Sequence, residues 1–175
     1  MLYEPRPDAT RFFQGDILGN FPVTILPETV KIVRLQEKLQ DFSIARVYER
    51  DKLDDAFING SEPILAKASL MNIMILSQTC DIQNREFVSI APVFPMANIE
   101  SRSKQEAIRK RKVFYRFHLP PEGEFEESFL DITTINSVRR SALILENRIL
   151  SLSHFGRSHL AFFIYNYFNR PFQPD

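Results

Sequence analysis

The residues best suited to chemistry form one polar cluster, Ser77-Gln78-Thr79-Cys80-Asp81, which directly follows an apolar run of strand length. The end of a strand commonly carries functional side chains, because the strand holds them rigidly while the loop exposes them. A cysteine there becomes a nucleophile if a nearby cation or histidine stabilises its thiolate. The sequence therefore indicates Cys80, Asp81 and His118 as candidate catalytic residues, with Ser77, Gln78 and Thr79 as candidate pocket residues.

A purely structural interpretation of this cluster stays open. A lone cysteine is commonly a small buried apolar side chain. An aspartate that follows a strand often forms a turn by bonding to nearby backbone, which would explain Asp81 without catalysis.

A second feature is a run of basic residues. Residues 98–116 contain seven cations and two anions, a net charge of +5, whereas residues 119–131 carry −5. If the two stretches faced apart, a basic helix would follow a nucleic-acid backbone, and Phe114, Tyr115 and Phe117 would stack on bases. If they met, their charges would cancel and leave an ordinary solvated face. The candidate nucleic-acid-binding residues are Arg102, Lys104, Arg109, Lys110, Arg111 and Lys112.

Other classes of site find little support in the sequence. None of the five glycines belongs to a phosphate-binding loop pattern. His154 and His159 are five residues apart and so lie off one helical face, and a single cysteine cannot form a disulfide within the chain or a Cys-only zinc site. With 22 basic and 22 acidic residues, the chain is not a uniformly basic nucleic-acid coat protein. We therefore expect no metal and no cofactor.

The elements that must position these groups are mainly strands. Residues 72–77 and 87–93 are nearly continuous apolar runs, which predict two central antiparallel strands buried on both faces and joined by a polar, hairpin-type connection. Further strands are predicted over 21–26, 113–119, 129–138 and 142–145. Helices are predicted over 98–112 and 154–169.

The length of 175 residues predicts a single domain, and the charged segment 28–63 is predicted to be an insertion in it. The C-terminal helix over 154–169 carries aromatic residues on nearly all sides. One face is expected to pack on the core, and another would meet the insertion, a protein partner or a second copy of the chain.

Four segments together resemble the PemK/MazF-like toxin family: Gly15-Asp16-Ile17, Ile73-Met74-Ile75-Leu76-Ser77, Val88-Ser89-Ile90-Ala91-Pro92-Val93 and Leu130-Asp131-Ile132-Thr133-Thr134-Ile135. The resemblance implies a small bent antiparallel β-barrel of the Src-homology-3-like kind, metal-independent RNA cleavage and a homodimer. The sequence departs from the family pattern after Pro92, where Val93 and Phe94 replace the Ser or Thr of active members. The resemblance therefore implies the barrel and assigns no catalytic residue.

The predicted fold is thus α+β, mainly β: a small bent barrel with an inserted segment and a C-terminal helix, or alternatively an open α+β sheet with a covering helix. The predicted function is that of a nucleic-acid-directed protein binding RNA or DNA, either a metal-independent ribonuclease or an inactive RNA-binding relative. The alternatives are a non-enzymatic protein-interaction module of a bacterial multi-gene system and a cysteine enzyme. The sequence contains no apolar run long enough to span a membrane and no signal-peptide core, so a cytoplasmic location without membrane contact is expected.

Overall fold

The computed structural model describes residues 1–24, 29–35, 42–49, 64–65 and 68–169. The chain divides into two compact units, Met1–Phe21 with Met71–Asp175, and Pro22–Leu70. The second unit contains the predicted insertion 28–63, parts of which lie outside the described residues. Its described strands form a three-stranded antiparallel sheet in the order β3-β2-β4. These strands are β2 (Thr29–Leu35), β3 (Phe42–Glu49) and β4 (Ile64–Leu65).

The larger sheet joins seven of the described strands in the order β10-β1-β5-β6-β8-β7, with β9 paired to the first half of β6. Its strands are β1 (Asp16–Thr24), β5 (Ala68–Ile75), β6 (Phe87–Pro95), β7 (Arg116–Leu119), β8 (Ser128–Asp131), β9 (Asn136–Arg139) and β10 (Arg148–Ser151). The helices are α1 (Thr79–Asn84), α2 (Arg102–Arg109) and α3 (His154–Phe168).

This sheet is open. Its hydrogen-bonded path ends at β10 on one side and β7 on the other, and the described strands do not close it into a barrel. The fold is therefore α+β, mainly β, with a C-terminal helix, as predicted. It matches the open sheet with a covering helix that the sequence left as the alternative.

The predicted central pair of strands is confirmed. β5 and β6 are antiparallel, with Asn72 opposite Val93 and Ile75 opposite Ile90. Residues 73–76 and 90–93 are buried without alternation, because both faces of the sheet are covered at this point. The polar connection between the strands contains the short helix α1, which the sequence did not predict.

Several predicted strands differ from the structure. The strand predicted over 113–119 begins only at Arg116. The one predicted over 129–138 is split into β8 and β9 by a 3-10 turn, Ile132–Thr134, because the Asp131 carboxylate caps that turn by accepting from the Thr133 amide at 3.1 Å. The strand predicted over 142–145 is wrong. Its two ends belong to two 3-10 turns, Arg140–Ala142 and Leu145–Asn147, since the chain must cross from β9 beside β6 to β10 beside β1.

The predicted C-terminal helix is confirmed as α3. Its N-terminus is capped by Ser153, whose hydroxyl accepts from the Gly156 amide at 3.1 Å. Leu160 is fully buried in the main core, and Phe163, Ile164 and Tyr167 pack against the same cluster. The helix therefore covers part of the sheet with one face and leaves the opposite face to solvent.

The N-terminal arm, residues 1–4, runs beside β10 and the start of α3. The Ser153 amide donates to the Leu2 carbonyl at 2.8 Å, and the Glu4 amide donates to the Ser151 carbonyl at 2.8 Å. Tyr3 is buried, its hydroxyl donates to the Pro120 carbonyl at 2.7 Å, and burial raises the pKa of its phenol. The arm is thus an integral part of the core.

A buried ion pair joins β1 to β10. Asp16 is fully buried, and its Oδ2 lies 3.1 Å from Nη1 of Arg148. The same carboxylate accepts from the Phe13 amide at 2.9 Å and from the Ser151 hydroxyl at 2.5 Å. Arg148 also donates to the carbonyls of Asp8 and Arg11. The ion pair therefore fixes the turn before β1 as well as the edge of the sheet.

Candidate nucleic-acid interface

Two of the predicted pocket residues, Ser77 and Thr79, form hydrogen bonds that hold neighbouring parts of the fold together. The Ser77 hydroxyl accepts from the Ser89 amide at 2.8 Å, and the Thr79 hydroxyl accepts from the Gln14 amide at 3.2 Å. Gln78 is exposed and contacts the Cys80 thiol at 3.8 Å. The Ser77 bond links the end of β5 to β6, and the Thr79 bond links the connection to the turn before β1.

The structure does not bring the candidate catalytic residues together. His118 is opposite Phe129, which in turn is opposite Phe94, so His118 lies level with the middle of β5. Cys80 lies beyond the end of β5, and three strand spacings, roughly 14 Å, separate β5 from β7. Cys80 is exposed, and Asp81 lies 3.6 Å from the Arg85 guanidinium. A Cys80–His118 nucleophile and base pair is therefore not formed.

The acidic and basic stretches meet at α2 and β8. The Arg109 guanidinium donates twice to Glu127, at 2.7 and 2.6 Å, and once to Glu106 at 2.9 Å. His118 Nε2 lies 2.8 Å from the same Glu127 carboxylate. On the neighbouring strand, Arg116 lies 3.1 Å from Asp131. Part of the predicted basic surface is therefore neutralised, and Arg109 is occupied by its carboxylate partners.

Positive charge remains at both ends of α2. Arg102, Lys104 and Lys112 are exposed and form no ion pair with any residue that the structure describes. Lys110 pairs only loosely, with its Nζ 3.5 Å from Glu106. The fifth cation, Arg111, lies at the mouth of a groove described below. Five of the six predicted nucleic-acid-binding residues thus keep their charges at the surface.

The Arg109–Glu127 pair predicts a measurable pH dependence. Hydrogen bonds from Arg109, with a smaller contribution from His118, lower the pKa of Glu127 from its usual 4.5 to about 2. A carboxylate whose pKa is lower in the folded state stabilises the fold above its unfolded pKa, and that contribution disappears as the pH falls from about 4.5 towards 2. We expect Glu127→Gln to be less stable at neutral pH and to lose stability less steeply over this range, as measured by urea unfolding.

Glu106→Gln is the control for this prediction, because Glu106 is exposed and its contacts are screened by solvent. Equal steepness in the wild type and in Glu127→Gln would contradict the assignment.

A groove of about 440 Å³ lies between α3 and the segment that joins α2 to β7. We call it the aromatic groove. None of the described residues that line it is acidic. The lining residues are Arg111, Val113, Phe114, Arg116, Phe117, His159, Phe162, Phe163 and Asn166.

The backbone of Arg111 is held in a left-handed conformation. Its φ is 56°, and it directly follows the C-cap of α2. The Arg111 amide donates to the Ile108 carbonyl at 2.9 Å, and the Lys112 amide donates to the Ala107 carbonyl at 2.8 Å. This pair of bonds is the Schellman arrangement, in which glycine is the usual residue at the left-handed position. Arginine there costs about 1 kcal/mol in backbone strain, which marks the position as a candidate functional residue.

The Arg111 side chain reaches α3 across the mouth of the groove. Its Nη2 lies 3.2 Å from Nδ1 of His159, which accepts the hydrogen bond when that nitrogen carries no proton. No carboxylate pairs with Arg111 in the described part of the chain. The guanidinium therefore keeps an uncompensated charge and N–H donors available to an anion.

The acidic residues of the loop that follows β7 lie away from this mouth. Glu122, Glu124 and Glu126 follow the C-terminal end of β7, whereas Arg111 precedes its N-terminal end. The four-residue strand between them spans roughly 10 Å, which exceeds the screening length of about 8 Å at physiological ionic strength. The acidic loop therefore does not cancel the charge at the groove.

The sequence indicated Arg111 and Phe114 but missed the part of the groove that α3 provides. Phe162 and Asn166 are far from residue 111 in the chain, and their composition alone is typical of a packed aromatic helix. The useful signal was the excess of aromatic residues on α3, which exceeds what one packed face can bury.

No protein-family model matches the chain, and a search of curated proteins finds no significant match. Within the described ranges, no three His, Cys, Asp or Glu side chains are placed to hold a metal ion. No helix in those ranges combines the length and apolar character needed to cross a membrane. The functional argument therefore depends on the geometry of the aromatic groove.

Proposed function

We propose that the protein binds nucleic acid, with the aromatic groove and the cations around it as the binding surface. The observation that carries this proposal is the composition of the groove. Among the described residues, aromatic side chains line the cavity, its charged groups are all basic, and Arg111 at its mouth has no acidic partner. Aromatic faces and guanidinium groups are the two features that nucleic-acid-binding grooves combine.

In this proposal Arg111 contacts a phosphate. A guanidinium matches two phosphate oxygens with two parallel N–H donors. Lys112 follows Arg111 directly and is exposed, so it adds a second cation beside the same mouth. Arg102 and Lys104, at the other end of α2, extend the positive surface. Binding of this kind releases counterions and weakens steeply with added salt.

The proposal is one of binding and assigns no catalytic residue. Whether RNA cleavage accompanies binding is decided by incubating the purified protein with mixed RNA in EDTA. The kinship with PemK/MazF-like toxins and the cytoplasmic location stay predictions, and the proposal uses neither of them.

The test is a comparison of two arginine variants in a nucleic-acid binding assay over a range of salt concentrations. Arg111→Gln is expected to weaken binding about tenfold, because a charge-assisted hydrogen bond is lost. The slope of log K against log salt should fall by about 0.7, the value for one phosphate contact with a single strand. Arg85→Gln is the matched control, since Arg85 is exposed, carries the same charge and does not line the groove.

Arg111→Gly separates a binding role from a structural one. Glycine relieves the left-handed strain, so this variant should unfold at a higher temperature while binding as poorly as Arg111→Gln. Failure of the wild type to retain nucleic acid even at low salt would refute the proposal. So would equal losses in the Arg111→Gln and Arg85→Gln variants.

A protein-interaction module is the second candidate function, and one observation favours it. α3 exposes four large aromatic side chains, and three of them, Phe155, Tyr165 and Phe168, lie outside the aromatic groove. An exposed aromatic patch is typical of a protein interface. Light scattering in the absence of nucleic acid tests this second function. If a second copy docks on α3, the measured molecular mass should increase as the protein concentration is raised.

A further inference from the structure

We propose that the aromatic groove accepts an unpaired base, so that the ligand is single-stranded nucleic acid and duplex is excluded from the groove. This inference rests on the proposed function and specifies its substrate class. In it, Phe162 is the stacking platform and Arg111 holds the phosphate of the stacked nucleotide.

The position of Phe162 is the first observation. Its side chain lines the groove and is 67% exposed, although it is a large apolar group. Its ring forms no ring-to-ring contact within the described residues, unlike Phe163 on the same helix, which packs on Phe117 with centroids 5.4 Å apart. One face of the groove is thus closed by packed rings, and Phe162 presents an open aromatic surface beside them.

The second observation is the arrangement of groups around that ring. Phe114 also lines the groove, from the α2–β7 segment, and its ring stacks on Tyr167 of α3 with centroids 6.2 Å apart. Asn166, one helical turn beyond Phe162, supplies amide donor and acceptor groups. Arg111 reaches α3 at His159, which lies one turn before Phe162. A base on Phe162 would therefore have an apolar platform, a polar edge contact and a cation within one helical turn on either side.

Duplex cannot use this arrangement. In a double helix the base faces are stacked on one another, so only backbone and groove edges meet a protein surface. The cations at α2 would bind a duplex through phosphates alone and leave Phe162 uncovered. An unpaired base would instead cover the ring, and base–aromatic stacking adds affinity that is independent of sequence.

The experiment measures binding of one short strand of mixed sequence containing 2-aminopurine, alone and annealed to its complement. Wild-type protein is expected to bind the single strand at least about fivefold more tightly than the duplex, with quenching of the 2-aminopurine fluorescence on binding. Phe162→Leu should weaken single-strand binding at least about fivefold and leave duplex binding unchanged. Phe162→Tyr, which keeps the ring, should bind the single strand normally.

Tyr165→Leu is the matched control. Tyr165 is 63% exposed on the same helix, three residues from Phe162, but does not line the groove. We expect this variant to bind as the wild type does. Because both side chains are exposed, urea unfolding of the Phe162 and Tyr165 variants should match the wild type.

The outcomes separate the two proposals. Equal affinity for single strand and duplex, or no effect of Phe162→Leu beyond that of Tyr165→Leu, overturns the unpaired-base inference while salt-sensitive binding still supports the proposed function. Retention of neither probe at low salt refutes the proposed function itself. If the wild type retains no nucleic acid, but another protein co-purifies with it and is lost from the Phe162→Leu variant, the groove instead belongs to a protein partner.

Discussion

Replacing Arg148 by methionine is expected to lower the free energy of unfolding by about 3–5 kcal/mol, because it leaves a buried carboxylate without its cation. Asp16 is fully buried, and the Arg148 side chain is only 8% exposed. Methionine keeps an unbranched apolar stem and lacks the guanidinium group, so the loss reports mainly the charge and its hydrogen bonds. The measurement is urea unfolding at neutral pH.

Arg139→Met is the matched control for this prediction. Arg139 also pairs with a carboxylate, Glu86, but both side chains are more than 60% exposed. Such surface pairs contribute up to about 1 kcal/mol. A double variant, Asp16→Asn with Arg148→Met, should cost less than the sum of the two single changes, because it removes both charges. Equal losses in Arg148→Met and Arg139→Met would contradict the interpretation.

Gly156→Ala is expected to destabilise the protein, although alanine is the better helix former by about 1 kcal/mol. A Cβ at this position would lie 2.4 Å from the Leu2 carbonyl oxygen and 3.1 Å from Leu152 Cβ. The Leu2 contact is with backbone, so the N-terminal arm must shift, and the packing of the adjacent Tyr3 in the core is disturbed. We expect a net loss of about 1–3 kcal/mol, seen as a lower thermal midpoint.

The same variant should show faster hydrogen exchange at the Glu4 amide, whose bond to the Ser151 carbonyl depends on the position of the arm. Ser158→Ala is the control, since Ser158 lies on the exposed face of α3 and alanine there meets nothing new. If Gly156→Ala followed helix propensity and raised the midpoint, the close approach of arm and helix would be wrong.

Local patterns in the sequence predicted the elements whose burial is continuous or whose ends are capped. The runs at 72–77 and 87–93 are nearly continuous in apolar residues and of strand length, which is typical of strands covered on both faces, and the structure pairs them as β5 and β6. α3 was predictable from its apolar periodicity and from a serine in front of it. The sequence also showed that residues 98–116 and 119–131 carry opposite net charges, but it did not show whether the two stretches meet in the fold.

The sequence could not predict features that depend on topology. The six residues of α1 are mostly polar and only Ile82 is buried, so the sequence shows no helical repeat of apolar residues there. The apolar segment at 142–145 was wrongly predicted to be a strand, because composition cannot reveal that the chain must cross the sheet there. Arg148 was one of several scattered arginines, and its partner Asp16 is 132 residues away in the chain. The aromatic groove likewise joins residues 111–117 to residues 159–166.

The placement of β1 also constrains how the protein is made. β1 lies between β5 and β10, and Asp16 pairs with Ser151 across almost the whole chain. During translation, one edge of β1 therefore stays without its neighbouring strand until residue 152 has left the ribosome. A nascent chain stalled before that point presents an open strand edge beside uncovered apolar surface, a form that aggregates readily.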